Sequence, residues 1–118
     1  MKKIYHLSTC STCQRILKTL DAGKGFELQD IKTEAITPEQ LDQMYEKTGS
    51  YEALFSRKAM KYRSMGLHEK QLTEADYKAL ILEEYTFLKR PVIFIDDEIF
   101  VGNTQKVVEA ARAKLVNQ

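Results

Sequence analysis

The chain has 118 residues, 18 basic and 17 acidic side chains, and a formal net charge of +1. That length suits one domain with a core of its own, and a charge so close to neutral argues against nucleic acid or an anionic membrane as a direct partner. No apolar run approaches the roughly 18 residues of a bilayer-spanning helix, and Met1-Lys2-Lys3 opens without a signal-like apolar stretch, so the expected location is cytoplasmic.

Ile4, Tyr5 and Leu7 mark a first strand over residues 3–7. Cys10-Ser11-Thr12-Cys13 follows. Ile16, Leu17 and Leu20 then recur at helical spacing, which predicts a helix over 11–22 ended by Gly23 and Gly25. Phe26, Leu28 and Ile31 predict a second strand over 26–31. Thr37-Pro38-Glu39-Gln40 is a helix start, with Thr as N-cap and Pro at the first helical position, and Leu41, Met44 and Tyr45 form its buried face. Residues 51–65 predict one broken or two short helices stopped at Gly66. Thr73-Glu74-Ala75-Asp76 opens another, with Tyr77, Leu80 and Ile81 as its stripe. Pro91–Ile95 reads as a buried strand, Asp96-Asp97 as a turn, and Ile99-Phe100-Val101 as the return strand of a hairpin. Asn103 or Thr104 caps a last helix that carries Val107, Val108, Ala111 and Leu115.

A β-α-β unit, whose crossover should be parallel and right-handed, thus precedes several helices and a β-β-α unit. That order is the thioredoxin-like arrangement: an α/β fold with a mixed four-stranded sheet flanked by helices. Residues of about 37–87 would be a helical insertion, and 1–118 a single domain. Repeats, low-complexity tracts and linkers are absent from the sequence.

Cys10 and Cys13 are the only cysteines. A C-x-x-C between a strand and a helix near the N-terminus is a redox arrangement. The first thiol meets the unpaired N–H groups and positive dipole end of the helix, which favour a thiolate. The second lies one turn on and is placed to attack the first sulfur once it is oxidised. A zinc site needs four ligands, and His6 and His68 are the only histidines to add to the pair, so no metal is expected. A structural bridge would close too small a loop to stabilise much. A cytosolic setting likewise favours a catalytic or sensing pair.

Further residues are placed to serve the thiol. His6 ends the first strand four residues before Cys10, and an imidazolium there would stabilise a thiolate. Arg57, Arg63 and Arg90 are candidate cations, because a guanidinium holds oxyanions through its planar fork. Arg63 has the weakest case of the three. Arg90 precedes Pro91, which opens a central strand, and the C-x-x-C upstream favours a cis bond at Arg90–Pro91.

Taken together, these segments resemble the glutaredoxin-coupled arsenate reductases and their sister group, the Spx-type regulators, over essentially the whole chain. The resemblance rests on Ile4-Tyr5-His6 before Cys10, on Leu54-Phe55-Ser56-Arg57-Lys58 followed by Leu67, and on Leu88-Lys89-Arg90-Pro91-Val92-Ile93. It implies Cys10 as nucleophile, Arg57 and Arg90 as oxyanion holders, Pro91 as the cis proline, and His6 as a group that keeps Cys10 ionised. In the reductases the nucleophile attacks arsenate, glutathione reduces the adduct, and glutaredoxin clears the mixed disulfide. Two positions depart from that pattern. Gly102 stands where the reductases carry a third arginine, and Cys13-Gln14 stands where they tend to have serine and arginine. Cys13 is closer to the Spx-type switch.

The expected function is therefore thiol–disulfide redox chemistry. Cys10 acts on an oxyanion such as arsenate or on a disulfide, and Cys13 resolves. No bound cofactor is expected; glutathione or another small thiol, glutaredoxin or thioredoxin would be the reductant. The alternative is a redox-switched regulator that binds the RNA polymerase α subunit.

Overall fold

In the computed structural model, which describes residues 1–21 and 25–117, the elements in chain order are β1 (Lys2–His6), α1 (Ser11–Thr19), β2 (Glu27–Asp30), α2 (Pro38–Thr48), α3 (Met60–Ser64), α4 (Glu74–Glu83), β3 (Val92–Ile95), β4 (Glu98–Val101) and α5 (Gln105–Val116). Short 3-10 turns lie at Glu52–Leu54, Leu67–Glu69 and Tyr85–Phe87. The chain divides into two compact units. One joins Met1–Ala35 to Arg90–Gln118, and the other is Ile36–Lys89, the helical stretch that the sequence set apart.

The first unit is built on a four-stranded sheet of order β2-β1-β3-β4 among the described residues. β1 pairs with β2 in parallel, and β1–β3 and β3–β4 are antiparallel, so the sheet is mixed as expected. Register places Ile4 opposite Ile93, and Ile93 opposite Phe100. Side chains alternate across a strand, so these residues share one face with Ile95. Ile16, Leu17 and Leu20 of the α1 segment, and Val108, Ala111 and Leu115 of α5, pack against that face. Burying each large aliphatic side chain contributes about 1.5–3 kcal/mol. Tyr5, Val92 and Phe94 are buried on the opposite face, where the Tyr5 and Phe94 rings meet edge-on at 6.2 Å.

α1 stops at Thr19, short of the expected end at 22, with Leu20 as C-cap. Gly23 lies outside the described residues. α5 is capped by Thr104, whose hydroxyl accepts from the Val107 N–H.

In the second unit, α2 and α4 begin where their sequences say they should. Thr37 with Gln40, and Thr73 with Asp76, form reciprocal capping boxes. α2 ends at Gly49, whose φ of 71° is the left-handed conformation that glycine takes without a Cβ penalty. Tyr77 and Ile81 are buried on α4, and Leu80 is half-buried. The predicted break within 51–65 has a tertiary cause. Phe55 leaves the helical region to form an antiparallel bridge with Leu88, and Ser56 N–H donates to the Phe87 carbonyl at 2.7 Å. The Phe55 ring stacks on Phe87 at 5.0 Å and meets Tyr77 at 4.9 Å. Among the described residues no helix is long and apolar enough to cross a membrane.

Candidate active site

The parallel β1–β2 pair and the turn into α1 bring chemistry to the carboxyl ends of two strands, the usual ligand-binding edge of an α/β sheet. Cys10 is the N-cap of α1, with extended backbone (φ −96°, ψ 112°), and no acidic residue occupies the first turn of the helix. Its N–H donates to the Leu7 carbonyl at 3.0 Å, and its carbonyl accepts from Gln14 N–H at 3.1 Å, the first rung of the helix. Cys10 is partly exposed, Cys13 is fully buried, and both are free thiols.

The two sulfurs are pushed in opposite directions. Burial raises the Cys10 pKa, but the Cys13 and Thr12 N–H groups, the Cys13 thiol and the Arg90 charge outweigh it, and the net shift is below the ordinary 9.0. The sulfur makes no side-chain capping hydrogen bond in the geometric sense. Those N–H groups therefore act on the charge that develops there. Burial pushes the Cys13 thiol up to about 11, with the charge and hydrogen bond of Cys10 adding to the rise and a backbone hydrogen bond at Leu7 opposing it.

His6 lies at the end of β1, in register with Asp30 at the end of β2. It is 9% exposed, and its Nδ1 has no hydrogen-bond partner among the described residues. Burial lowers its pKa, and the Asp30 charge only partly restores it. Burial penalises the charged ring, and the groups that lower the Cys10 pKa are Cys13, Thr12 and Arg90.

Arg90 belongs to the same unit as Cys10, and its charge reaches the sulfur. The Arg90–Pro91 bond is cis, in the sense the sequence favoured. The Pro91 carbonyl accepts from Gly102 N–H at 3.0 Å, which ties the start of β3 to the end of β4. Gly102 has φ 99°, so this position lacks an arginine side chain on a backbone that non-glycine residues rarely adopt. Arg57 belongs to the other unit. There its Nη2 is bonded to the Glu52 carboxylate and, at 3.0 Å, to the Tyr77 hydroxyl, and its guanidinium lies 5.8 Å from the Tyr77 ring centroid. Arg63 is exposed on α3. Among the described residues no group of three or more His, Cys, Asp or Glu is placed to hold a metal ion.

Sequence reasoning missed the contacts of the loop before Cys10. Asp30 accepts from the Ser8 hydroxyl and, at 3.4 Å, from the Ser8 N–H, while Gln14 Nε2 donates to the Ser8 carbonyl at 3.3 Å. Only an acidic residue at a strand end, paired with a serine just past its parallel neighbour, could have signalled this. The Glu52 bond to Arg57 was equally hidden, because five residues across a 3-10 turn is no standard helical pairing.

Known proteins share this architecture. A YffB protein superposes with a TM-score of 0.79 at 24% identity, covering 94% of this chain and 98% of its own. An arsenate-reductase-related protein from Brucella melitensis gives 0.71 at 26% identity, covering 92% of each chain. An arsenate reductase from Vibrio cholerae gives 0.72 at 25% identity, covering 92% of this chain and 95% of its own. No curated protein sequence matches. The ArsC family model matches residues 5–111, a span that takes in all the sheet strands but the first three residues of β1 and holds both cysteines, His6, Arg57 and Arg90-Pro91: the chain belongs to the ArsC family.

Proposed function

We propose that the chain is a thiol–disulfide redox protein in which Cys10 is the nucleophile and Cys13 the resolving thiol. The supporting observation is the split between a partly exposed Cys10 shifted down and a buried Cys13 shifted up to about 11. The thiol that loses its proton more readily is therefore the accessible one. Membership of the ArsC family supports the same chemistry.

With a disulfide substrate, the Cys10 thiolate attacks one sulfur, the substrate S–S bond breaks, and one half leaves as a thiolate. The new mixed disulfide removes the Cys10 charge, which is one of the causes holding the Cys13 pKa up. Cys13 then loses its proton and attacks the Cys10 sulfur. The second half leaves as a thiolate and a Cys10–Cys13 disulfide remains, which a small thiol, glutaredoxin or thioredoxin reduces with two electrons. With arsenate, Cys10 displaces water to form a sulfur–arsenic(V) bond. Attack of Cys13 on that sulfur passes two electrons to arsenic and expels arsenite. Arg90 balances the charge at the sulfur, and Pro91 fixes the backbone that carries it. Within its own unit, Arg57 is held by Glu52. Both side chains are about half exposed, and such pairs are worth only about 0–1 kcal/mol.

The test is the pH dependence of Cys10 alkylation in wild type and Cys13→Ser, with arsenate or a small disulfide present. A midpoint below 9.0, with the disulfide yielding the Cys10–Cys13 bridge by mass, supports the proposal; arsenate protection assigns the oxyanion as substrate. An ordinary midpoint and no bridge would sink it. Gly102 and Cys13 favour a second reading, a redox-switched regulator. Retention of the RNA polymerase α subunit's C-terminal domain only by the oxidised protein would support that reading, and no retention in either state would reject it.

A further inference from the structure

The loop between β1 and α1 is held from two sides through one residue. From the sheet side, the Asp30 carboxylate at the end of β2 accepts the Ser8 hydroxyl and the Ser8 N–H, and also accepts Lys32 N–H at 3.1 Å. The Asp30 backbone carbonyl takes Glu34 N–H at 2.8 Å and Thr33 N–H at 3.2 Å, so the carboxylate stands on an ordered turn. From the helix side, Gln14 Nε2 holds the Ser8 carbonyl. All three polar groups of Ser8 are thus engaged, two residues before Cys10, although Ser8 itself is exposed to water that would compete for them. An exposed serine held at every polar group costs ordering entropy and needs a reason other than burial.

We propose that Asp30 is a positioning residue for the Cys10 sulfur, acting through Ser8: it ties the loop that carries the nucleophile to β2 while Gln14 ties the same loop to α1. The proposal rests on the reading of Cys10 as the reacting thiolate. The Thr12 and Cys13 N–H groups favour charge on Cys10 only while the sulfur stays over the first turn of α1. Fixing Ser8 to both elements limits how far Cys10 can swing from that turn. The charged and titratable groups that face the site are Arg90 and Cys13, which bear on Cys10, and His6, which bears on Asp30.

The experiment uses the full-length reduced protein and reads the pH profile of Cys10 alkylation by iodoacetamide, resolved by site. The variants are Ser8→Ala, Ser8→Thr, Asp30→Ala and the double Ser8→Ala/Asp30→Ala, with thermal melting to confirm that each is folded. Ser8→Ala changes no charge. It is expected to move the Cys10 midpoint up by about half a unit, which slows alkylation at pH 7 roughly threefold. Ser8→Thr keeps the hydroxyl and is expected to retain the wild-type profile. In the Asp30→Ala background, which removes the acceptor, Ser8→Ala is expected to add nothing, since the two act as one unit. A depressed wild-type midpoint that Ser8→Ala leaves in place overturns this inference alone, as does an equal Ser8→Ala shift in both backgrounds. A wild-type midpoint at the ordinary value overturns the proposed function and this inference with it.

Discussion

Cys13 is the residue whose titration is most diagnostic. Burial is the leading cause of its rise to about 11, and the neighbouring Cys10 thiolate adds to it. Cys10→Ser removes the second contribution and leaves the first. The Cys13 midpoint, followed through its Cβ chemical shift, is expected to fall below about 11 and stay above the ordinary 9.0. A midpoint at or below 9.0 would show that burial is not the main cause. His6 gives a stability signature. Its folded pKa lies below the ordinary 6.5, so the unfolded chain binds the extra proton first as pH falls. Stability rises with pH where the unfolded state holds more protons. The His6 contribution is therefore complete above pH 6.5 and lost as pH drops below it towards the folded pKa. Urea midpoints of wild type should decline from pH 7 to pH 5 more than those of His6→Gln; parallel curves would reject the buried, neutral ring. The cysteines were legible in the sequence because a C-x-x-C after a strand is local. The Asp30–Ser8 bond was not, since it joins side chains 22 residues apart that meet only after β1 and β2 pair.

At the scale of elements, the helix starts were the most legible, because a capping box is written within four residues: Thr37 with Gln40 and Thr73 with Asp76 both form as read. The break at Phe55 was legible only as a weakness in the helical pattern, because its cause is a bridge to the distant Leu88. The hairpin end shows the same limit. Gly102 reads as a missing arginine, yet its φ of 99° shows a backbone requirement that no residue count reveals. Restoring the charge there should therefore fail as a repair. Gly102→Arg is expected to cost about 1 kcal/mol or more from the positive φ, although open space surrounds a Cβ at that position. A urea midpoint unchanged from wild type would contradict this account of Gly102.

Across the whole molecule, the sheet order and the parallel-then-antiparallel pairing follow from a β-α-β unit and a hairpin sharing one central layer, which is why the fold was readable before any contact was known. The division of labour between units was readable only as a stretch of helices at about 37–87; its bounds at Ile36–Lys89 come from packing. Ile93 sits at the centre of the first unit, fully buried between Ile4 and Phe100 in register. Ile93→Ala should cost about 2–5 kcal/mol, the range for emptying a tight core position. A loss under about 1 kcal/mol by denaturant unfolding would mean the core collapses into the space.

The sheet order leaves β2 and β4 with one neighbouring strand each. An outer strand with free N–H and C=O groups invites pairing with another chain. Here both outer strands are four residues long and begin with an exposed glutamate, Glu27 or Glu98, and Asp96 and Asp97 precede the second. Leu28, 44% exposed on β2, directly follows Glu27. Glu27 is paired with Lys3 at 2.9 Å and Glu98 with Lys114 at 3.0 Å, so each rim carries a charged pair, and charge on an outer strand disfavours pairing with another sheet.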